Sequence, residues 1–201
     1  MLAPYLTPVE LADTQLQEIY EYAMEFVNRN GGDLMETLFA INLSFLRDFR
    51  YVPGCTDVGT TAFQVYLTRA GVCQDFTNLF ITMARLLGIP ARYVCGYLYT
   101  GNSGERGDAG DMGDAGNSRA PSDATHAWVQ LYIPNIGWKD FDPTNGVLPQ
   151  TDHVRVAHGR HFRDATPTAG TLYGKASETM AVEVEVTDAH RASHAGVLQA
   201  S

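Results

Sequence analysis

The architecture of the chain depends most on one stretch, Gly71-Val-Cys-Gln-Asp-Phe-Thr-Asn-Leu-Phe80. After its cysteine, apolar residues recur at the three-and-four spacing of one helix face. They are Leu79, Phe80, Met83, Ala84, Leu86 and Leu87. Gly88, followed by Pro90, ends this pattern. The sequence therefore predicts a buried helix with Cys73 in its first turn.

This position makes Cys73 a candidate nucleophile. The unpaired N–H groups and the dipole at a helix N-terminus favour negative charge, so they favour the thiolate form of a cysteine there, especially beside a histidinium. A free cysteine is more often a small buried hydrophobe, and the position alone does not establish catalysis. Asp75, two residues further on, most simply complements the helix dipole.

The composition is that of one globular domain. The chain has 201 residues, of which 45% are hydrophobic and 18% charged, and this is enough for one core that folds alone. Its net charge of -9 argues against nucleic acid as a partner and against a polybasic contact with a membrane.

Three features predict a cytoplasmic location. Cys55, Cys73 and Cys95 form an odd and sparse set, which suits a reducing compartment better than a disulfide framework. No apolar run approaches the roughly 20 residues of a transmembrane helix. The N-terminus, Met1-Leu-Ala-Pro-Tyr5, has neither the basic flank nor the apolar core of a signal peptide.

Three helices are predicted before the cysteine helix. Apolar residues repeat on one face between residues 10 and 30, and Gly31-Gly32 ends that pattern. Asp33 is a candidate N-cap for a second helix. The apolar stripe of this second helix is Leu34, Leu38, Ile41, Phe45 and Leu46. A turn at 51–54 precedes a short helix at 60–68, and the first two helices are expected to pack as a hairpin.

Strands follow the cysteine helix. Residues 91–99 and 125–133 are rich in aromatic and β-branched side chains. A tight turn at 134–137 leads into a third strand at 138–142, and residues 180–186 alternate apolar side chains with glutamate, as half-solvated antiparallel strands do. The predicted fold is α+β, with the nucleophile helix packed on an antiparallel sheet.

We expect a single catalytic domain over residues 1–187 and a disordered tail over 188–201. An inserted loop at 100–121 carries glycine at every third position from Gly101 to Gly116. It lacks the proline and length of a collagen segment, and its aspartates lack the spacing of known calcium loops. The loop is interpreted as a lid over the site or as a tolerated insertion in a hairpin connection.

Three polar residues could converge on one site. Cys73 begins a helix, His126 begins a strand, and Asp142 ends the strand that pairs with it. The predicted chemistry has His126 take the thiol proton and later protonate the leaving amine, while Asp142 fixes the imidazole tautomer. Asp140 shares the strand face of Asp142 and is the alternative orienting residue.

At this point the chain resembles the bacterial transglutaminase-like proteins, whose members are often named cysteine proteases. The motifs that carry the resemblance are 71–80, 87–94 with Gly96-Tyr97, His126-Ala-Trp-Val129, Gly137-Trp138 and Phe141-Asp-Pro-Thr144. A looser likeness continues through 153–167.

The resemblance implies a papain-like fold, a transglutaminase core, and a catalytic triad of Cys73, His126 and Asp142. It also implies that many members have a further β-rich N-terminal region, so this chain is expected to be a fragment or a short member of the family. Asp142 is the orienting residue that the family pattern favours over Asp140.

Other residues are weaker candidates. Trp128 shares a strand face with His126 and is either a wall of the site or core packing. Substrate-binding or oxyanion-donor candidates besides the Cys73 backbone N–H are Gln64, Tyr66 and Tyr51. His153, His158 and His161 are close in sequence, but they lack a recognisable metal-ligand spacing, so a surface role is expected. Cys95 is expected in the core rather than in a disulfide.

The predicted function is attack by Cys73 on an amide or peptide carbonyl through a thioester. Hydrolysis as a cysteine peptidase or amidase is preferred, and protein-glutamine transamidation with an amine acceptor is the alternative. A binding module that has lost catalysis is an alternative of another class. The expected partner is a protein or peptide substrate, and no metal or cofactor is required.

Overall fold

The computed structural model describes residues 2–8, 11–99 and 125–165. Within these residues, four α-helices, which we name α1 to α4, span Asp13–Arg29, Leu34–Asp48, Ala62–Thr68 and Cys73–Leu86. Six strands, β1 to β6, span Arg50–Tyr51, Ala70–Gly71, Ala91–Leu98, His126–Ile133, Gly137–Phe141 and His153–Gly159. Short 3-10 helices lie at Ala3–Tyr5 and Phe162–Asp164.

The α+β fold predicted from the sequence is confirmed. Strands β3 to β6 form one antiparallel sheet in the order β5-β4-β3-β6. Helix α4 packs on β3 and β4, and α1, α2 and α3 surround its other sides. The core between helices and sheet holds fully buried side chains from both layers, among them Leu38, Ile41, Phe80, Met83, Val129 and Leu131.

Helix α4 lies at the centre of the fold because its apolar residues cover most of its circumference. Ten of its residues, from Asp75 to Arg85, are buried, as expected for a helix enclosed by neighbours. It begins at Cys73, as predicted, and the chain after it turns through Gly88, whose φ of 76° is one that glycine adopts without steric cost.

The helical hairpin is also confirmed. Asp33 caps α2 by accepting a hydrogen bond of 2.9 Å from the backbone N–H of Glu36. Helices α1 and α2 pack against each other and against α4. Their buried faces carry residues that the apolar pattern singled out, including Ile19, Ala23, Phe26, Leu38, Ile41 and Phe45.

Three strands were missing from the sequence prediction. Strand β6 pairs with β3 and forms one side of the sheet, and the two-residue strands β1 and β2 form a separate parallel ladder. The predicted strand at 180–186, the loop at 100–121 and the tail at 188–201 lie outside the described residues.

Gly96 allows three strands to approach closely. It lies opposite His126 on β4 and next to the irregularity where the register of β3 with β6 shifts. A Cβ atom at this position would collide with the backbone oxygen of Val154 and with the indole ring of Trp128. The absence of a side chain at Gly96 thus brings β6 close to the His126 end of β4.

Candidate active site

Cys73 lies at the N-terminal end of α4, and the backbone before it is tightly held. The backbone N–H of Val52 donates to the oxygen of Gly71 at 3.0 Å, which joins β1 to β2. The Asp75 carboxylate accepts from the N–H of Val72 at 2.8 Å and from the hydroxyl of Thr56 at 2.6 Å. The half-buried Cys73 therefore starts its helix from a fixed backbone position.

Asp75 does more than complement the helix dipole. Its side chain is buried, and burial raises the pKa of its carboxyl group while the hydrogen bonds from Thr56 and Val72 oppose that rise. A Cβ atom on Gly71 would collide with the Asp75 side chain. Asp75 thus packs beneath the turn that leads into Cys73.

His126 lies at the start of β4 with a side chain that is almost fully buried. Its Nε2 atom lies 2.8 Å from Oδ2 of Asp142. A carboxylate can only accept, so Nε2 carries the proton of this bond. The other ring nitrogen, Nδ1, is buried and has no hydrogen-bond partner among the described residues, so it is free for proton exchange.

The charged form of His126 is strongly favoured. Burial acts to lower its pKa, but the hydrogen bond to Asp142 and then the neighbouring Cys73 side chain raise the pKa to about 10. Cys73 is therefore a close neighbour of the imidazole. No hydrogen bond of ordinary geometry joins it to Nδ1, and such bonds are often long or misaligned before substrate binds.

Asp142 is held by donors on both carboxylate oxygens. Oδ1 accepts from the backbone N–H groups of Thr144 and Asn145 at 2.9 and 3.2 Å. Oδ2 accepts from His126, from the Asn145 amide at 2.6 Å and from Nε2 of His153 at 3.0 Å. Burial opposes ionisation, but the hydrogen bonds from His126, His153 and Asn145 hold the pKa well below its usual range. Asp142 is thus an oriented anion.

His153 is the residue of this cluster that the sequence interpretation missed. Its side chain is only 3% exposed, so the expected surface role was wrong for this histidine. Since Gly96 lets β6 approach β4, the first residue of β6 meets Asp142 at the end of β5. The alternation of Val154 and Val156 after His153 is the sequence signal that could have indicated a strand here. His158 is exposed, as expected.

Trp128 and Asp140 form a second pair on the same sheet. The indole N–H of Trp128 donates to Asp140 at 2.7 Å, and the amide of Gln130 donates to its other oxygen at 2.9 Å. The Trp128 ring stacks on His126 at a centroid distance of 6.1 Å. The structure thus brings Asp142 to His126, and it brings Asp140 to Trp128.

The three oxyanion-donor candidates lie in different surroundings. Gln64 is exposed, and its side-chain oxygen accepts from the backbone N–H of Thr61 in a capping box. The Tyr66 ring packs against Tyr22 at a centroid distance of 5.4 Å. Burial raises the pKa of Tyr51 to about 12, with further contributions from Cys73 and Asp75, so Tyr51 is a protonated donor in the neighbourhood of Cys73.

Three side chains could together bind a metal ion. One ligand atom each from His126, Asp142 and His153 lies within 4.8 Å of the others, and two imidazoles with a carboxylate are common ligands of transition metals. The same atoms already form hydrogen bonds of 2.8 and 3.0 Å with each other. These atoms of the three side chains therefore satisfy each other by hydrogen bonds without a metal ion.

The fold and site define a member of the transglutaminase-like superfamily, and the chain belongs to it. The family model of that description matches residues 20–143, which include Cys73, His126 and Asp142. A likeness of fold supports this assignment. A solved structure from Cytophaga hutchinsonii, described as a "putative cysteine protease", is 28% identical with a TM-score of 0.64 and covers 82% of this chain and 49% of that one.

Curated relatives extend the likeness beyond the family model. The uncharacterized proteins Rv2569c of Mycobacterium tuberculosis and Mb2599c of Mycobacterium bovis are each 33% identical over 186 residues. These matches cover 90% of this chain and 54% of each relative. The chain therefore spans about half the length of these relatives.

A shorter match joins the chain to a relative with a named activity. A protein-glutamine gamma-glutamyltransferase of Pseudomonas aeruginosa is 34% identical over 83 residues, which are 41% of this chain and 11% of that protein.

Within residues 2–8, 11–99 and 125–165, no helix is long and apolar enough to cross a membrane.

Proposed function

We propose that the protein is a thiol enzyme in which Cys73 attacks amide or peptide carbonyl groups, His126 is the general base and acid, and Asp142 orients His126. One observation carries the proposal. The buried His126 ring uses Nε2 to bond Asp142 and has Nδ1 free next to Cys73. This is the arrangement that a thiolate nucleophile needs.

Acylation follows from this arrangement. Because the charged form of His126 is favoured, the thiol proton passes to Nδ1 before attack, and the Sγ of the resulting Cys73 thiolate forms a bond with the carbonyl carbon. The C–N bond then breaks as the histidinium protonates the leaving amine, which leaves a thioester. Asp142 stabilises the imidazolium throughout and keeps the proton of the other nitrogen on Nε2.

The oxyanion formed during attack needs hydrogen-bond donors. The backbone N–H of Cys73 is the first of them, since it points out of the first turn of α4, where N–H groups have no partner within the helix. Gln64, Tyr66 and Tyr51 remain the proposed candidates for the second donor. Tyr51 is favoured because Cys73 contributes to its pKa.

The thioester can be resolved in two ways. Water, deprotonated by His126, gives a carboxylic acid and regenerates the thiol, so the protein would be a peptidase or amidase. A primary amine gives a new amide instead, so the protein would be a transglutaminase. We prefer hydrolysis, and the match to the Pseudomonas aeruginosa gamma-glutamyltransferase keeps transamidation as the alternative.

The proposed partner is a protein or peptide substrate, with an amine acceptor only under transamidation. Nucleic acid and membrane remain outside the proposal because of the net charge of -9. The cytoplasmic location stays a prediction from the sequence. A binding module of the same fold is the competing class. A Cys73→Ala protein with full biological activity would favour that class over an enzyme.

The first experiment measures cysteine alkylation against pH by peptide mass mapping. Cys55 is exposed and is an internal reference in the same chain. We expect Cys73 to react faster than Cys55 near pH 6 and to lose this advantage in His126→Ala, whereas His158→Ala leaves it unchanged. Equal rates for Cys73 and Cys55 at pH 6 would contradict the proposed function.

The second experiment separates the two outcomes of the thioester. A glutamine-containing peptide is incubated with a labelled primary amine, and ammonia release is compared with amine incorporation. Hydrolysis predicts ammonia from the side-chain amide, or cleaved peptide from the main chain, without incorporation, so cleavage is followed by mass spectrometry in the same samples. Incorporation of the labelled amine that exceeds hydrolysis would favour transamidation and contradict the preferred hydrolysis.

A further inference from the structure

His153 makes two hydrogen bonds that the mechanism above does not use. Its Nε2 atom lies 3.0 Å from Oδ2 of Asp142, and its Nδ1 atom lies 2.7 Å from Oδ1 of Asp152. We propose that His153 is a positioning residue, which bridges Asp142 and Asp152 as an imidazolium and holds the Asp142 carboxylate toward His126. The effect on reactivity rests on the proposed function.

The charge of His153 follows from its two partners. An ionised carboxylate accepts hydrogen bonds and donates none, so each His153 nitrogen must supply a proton if both bonds form. Asp142 is kept ionised by five donors, and Asp152 is more than half exposed. Burial acts to lower the pKa of His153, but the hydrogen bonds that it donates to Asp142 and then to Asp152 raise it.

The surroundings of His153 leave little freedom of orientation. The edge of its ring meets the Trp128 ring at a centroid distance of 5.3 Å, and the His126 ring lies 5.9 Å away. The charged groups that act on it are Asp142 from the end of β5, Asp152 from the preceding residue, and His126 from β4. A neutral histidine has a single ring N–H, so it could donate only one of the two hydrogen bonds to carboxylates.

Two imidazoles therefore share one oxygen of Asp142. His153 stabilises the anion and fixes the direction of Oδ2, so that His126 is held with Nδ1 toward Cys73. His153 thus aligns the base with Cys73.

The protonation state is tested without any substrate. In protein labelled with ¹⁵N-histidine, NMR at pH 7 is expected to show protons on both ring nitrogens of His153. Asp152→Asn removes one carboxylate and should lower the midpoint at which His153 loses its proton. A His153 that is neutral at pH 7 in the wild type would overturn the proposal.

The effect on the site is tested by alkylation of Cys73 at pH 7. His153→Gln is expected to react about 10-fold more slowly, by analogy with other residues that orient functional histidines. His158→Gln, an exposed histidine on the same strand, should react like the wild type, and Cys55 should react equally in all variants. Equal Cys73 rates in His153→Gln and His158→Gln would overturn the positioning role.

The NMR and alkylation experiments together distinguish a failure of the His153 proposal from a failure of the proposed enzyme function. If Cys73 of the wild type has no advantage over Cys55, the enzyme function fails, while NMR still decides whether His153 is the bridging cation. If His153→Gln does not fold, Asp152→Asn replaces it, since a variant of this exposed side chain should fold. Asp152→Asn is then expected to lower the alkylation rate of Cys73 at pH values above the lowered midpoint at which His153 loses its proton. An unchanged dependence of this rate on pH would reject the positioning role of His153.

Discussion

His126 and Asp142 are joined by a hydrogen bond of 2.8 Å between Nε2 and Oδ2, with both side chains excluded from solvent. One ring nitrogen is therefore committed to the carboxylate. Since Nδ1 has no partner among the described residues, it is the atom that the proposed proton exchange with Cys73 would use. In that proposal, the His126–Asp142 pair determines which ring nitrogen faces the carboxylate and which exchanges the proton.

Asp142→Asn should disable the base while leaving the fold in place. Removal of the carboxylate charge leaves burial as the main influence on His126, so its pKa should fall from about 10, and turnover should fall by about 10²–10⁴-fold. The pKa is measured by NMR titration and the turnover by hydrolysis of a peptide amide. Asp140→Asn is the matched control, because Asp140 bonds Trp128 and Gln130 instead; an equal loss in both variants would contradict the assignment.

Tyr51→Phe should separate attack on a carbonyl from simple thiol reactivity. If the Tyr51 hydroxyl donates to the oxyanion, its removal should lower amide hydrolysis by about 10²–10³-fold. Alkylation of Cys73 forms no oxyanion, so its rate should stay unchanged. Tyr66→Phe and Gln64→Ala are the comparison variants, and a loss of hydrolysis in one of these instead would move the role of second donor to that residue.

Arg85→Met should destabilise the fold without touching the site. The buried guanidinium has no carboxylate partner among the described residues and donates to backbone oxygens of Tyr5, Thr7, Ala91 and Arg160. Loss of these bonds leaves the carbonyl group of the buried Ala91 without this donor and breaks three partly buried bonds, so the free energy of unfolding should fall by about 1–3 kcal/mol.

Urea denaturation measures the effect of Arg85→Met. Arg47→Met is the control, since Arg47 is exposed and, among the residues that the structure describes, pairs only with its neighbour Asp48. It should change stability by less than about 0.5 kcal/mol. Similar losses in the two variants would show that the backbone contacts of Arg85 contribute little.

Local patterns in the sequence were sufficient to predict the helices and the central strands. Helix α4, the Asp33 cap and the hairpin from β4 to β5 follow from apolar periodicity and turn residues, which act over a few positions. Strand β6 was missed because the alternation of Val154 and Val156 covers only four residues, and both valines are exposed and so belong to no core face. Its place beside β3 is set by contacts distant in sequence.

The same distinction applies to the candidate site. Cys73, His126 and Asp142 stand at element ends and could be named from the sequence, and their common role remains a proposal. The contact of His153 with Asp142 depends on the close approach of β6 at Gly96, where a Cβ atom would not fit. No local pattern encodes that approach. The buried bonds of Arg85 likewise join segments about 80 residues apart.

The pH dependence of stability should show the charges of the His126–Asp142 pair. The folded-state pKa of His126 is about 10, above its ordinary value of about 6.5. The stabilisation from its proton is therefore fully present below pH 6.5 and is lost as the pH rises through 10. Asp142, whose pKa is depressed, stabilises the fold above about pH 4, and this contribution is lost as the pH falls further.

Urea denaturation between pH 6 and 10 measures this linkage. The free energy of unfolding of the wild type should decline across the window, and Asp142→Asn should decline less steeply because its His126 binds the proton more weakly. The difference between the two proteins removes the contribution of other titrating groups. The free energy of unfolding of His158→Gln should decline in parallel with that of the wild type. If Asp142→Asn also declined in parallel, the charges of the His126–Asp142 pair would not contribute to the pH dependence of stability.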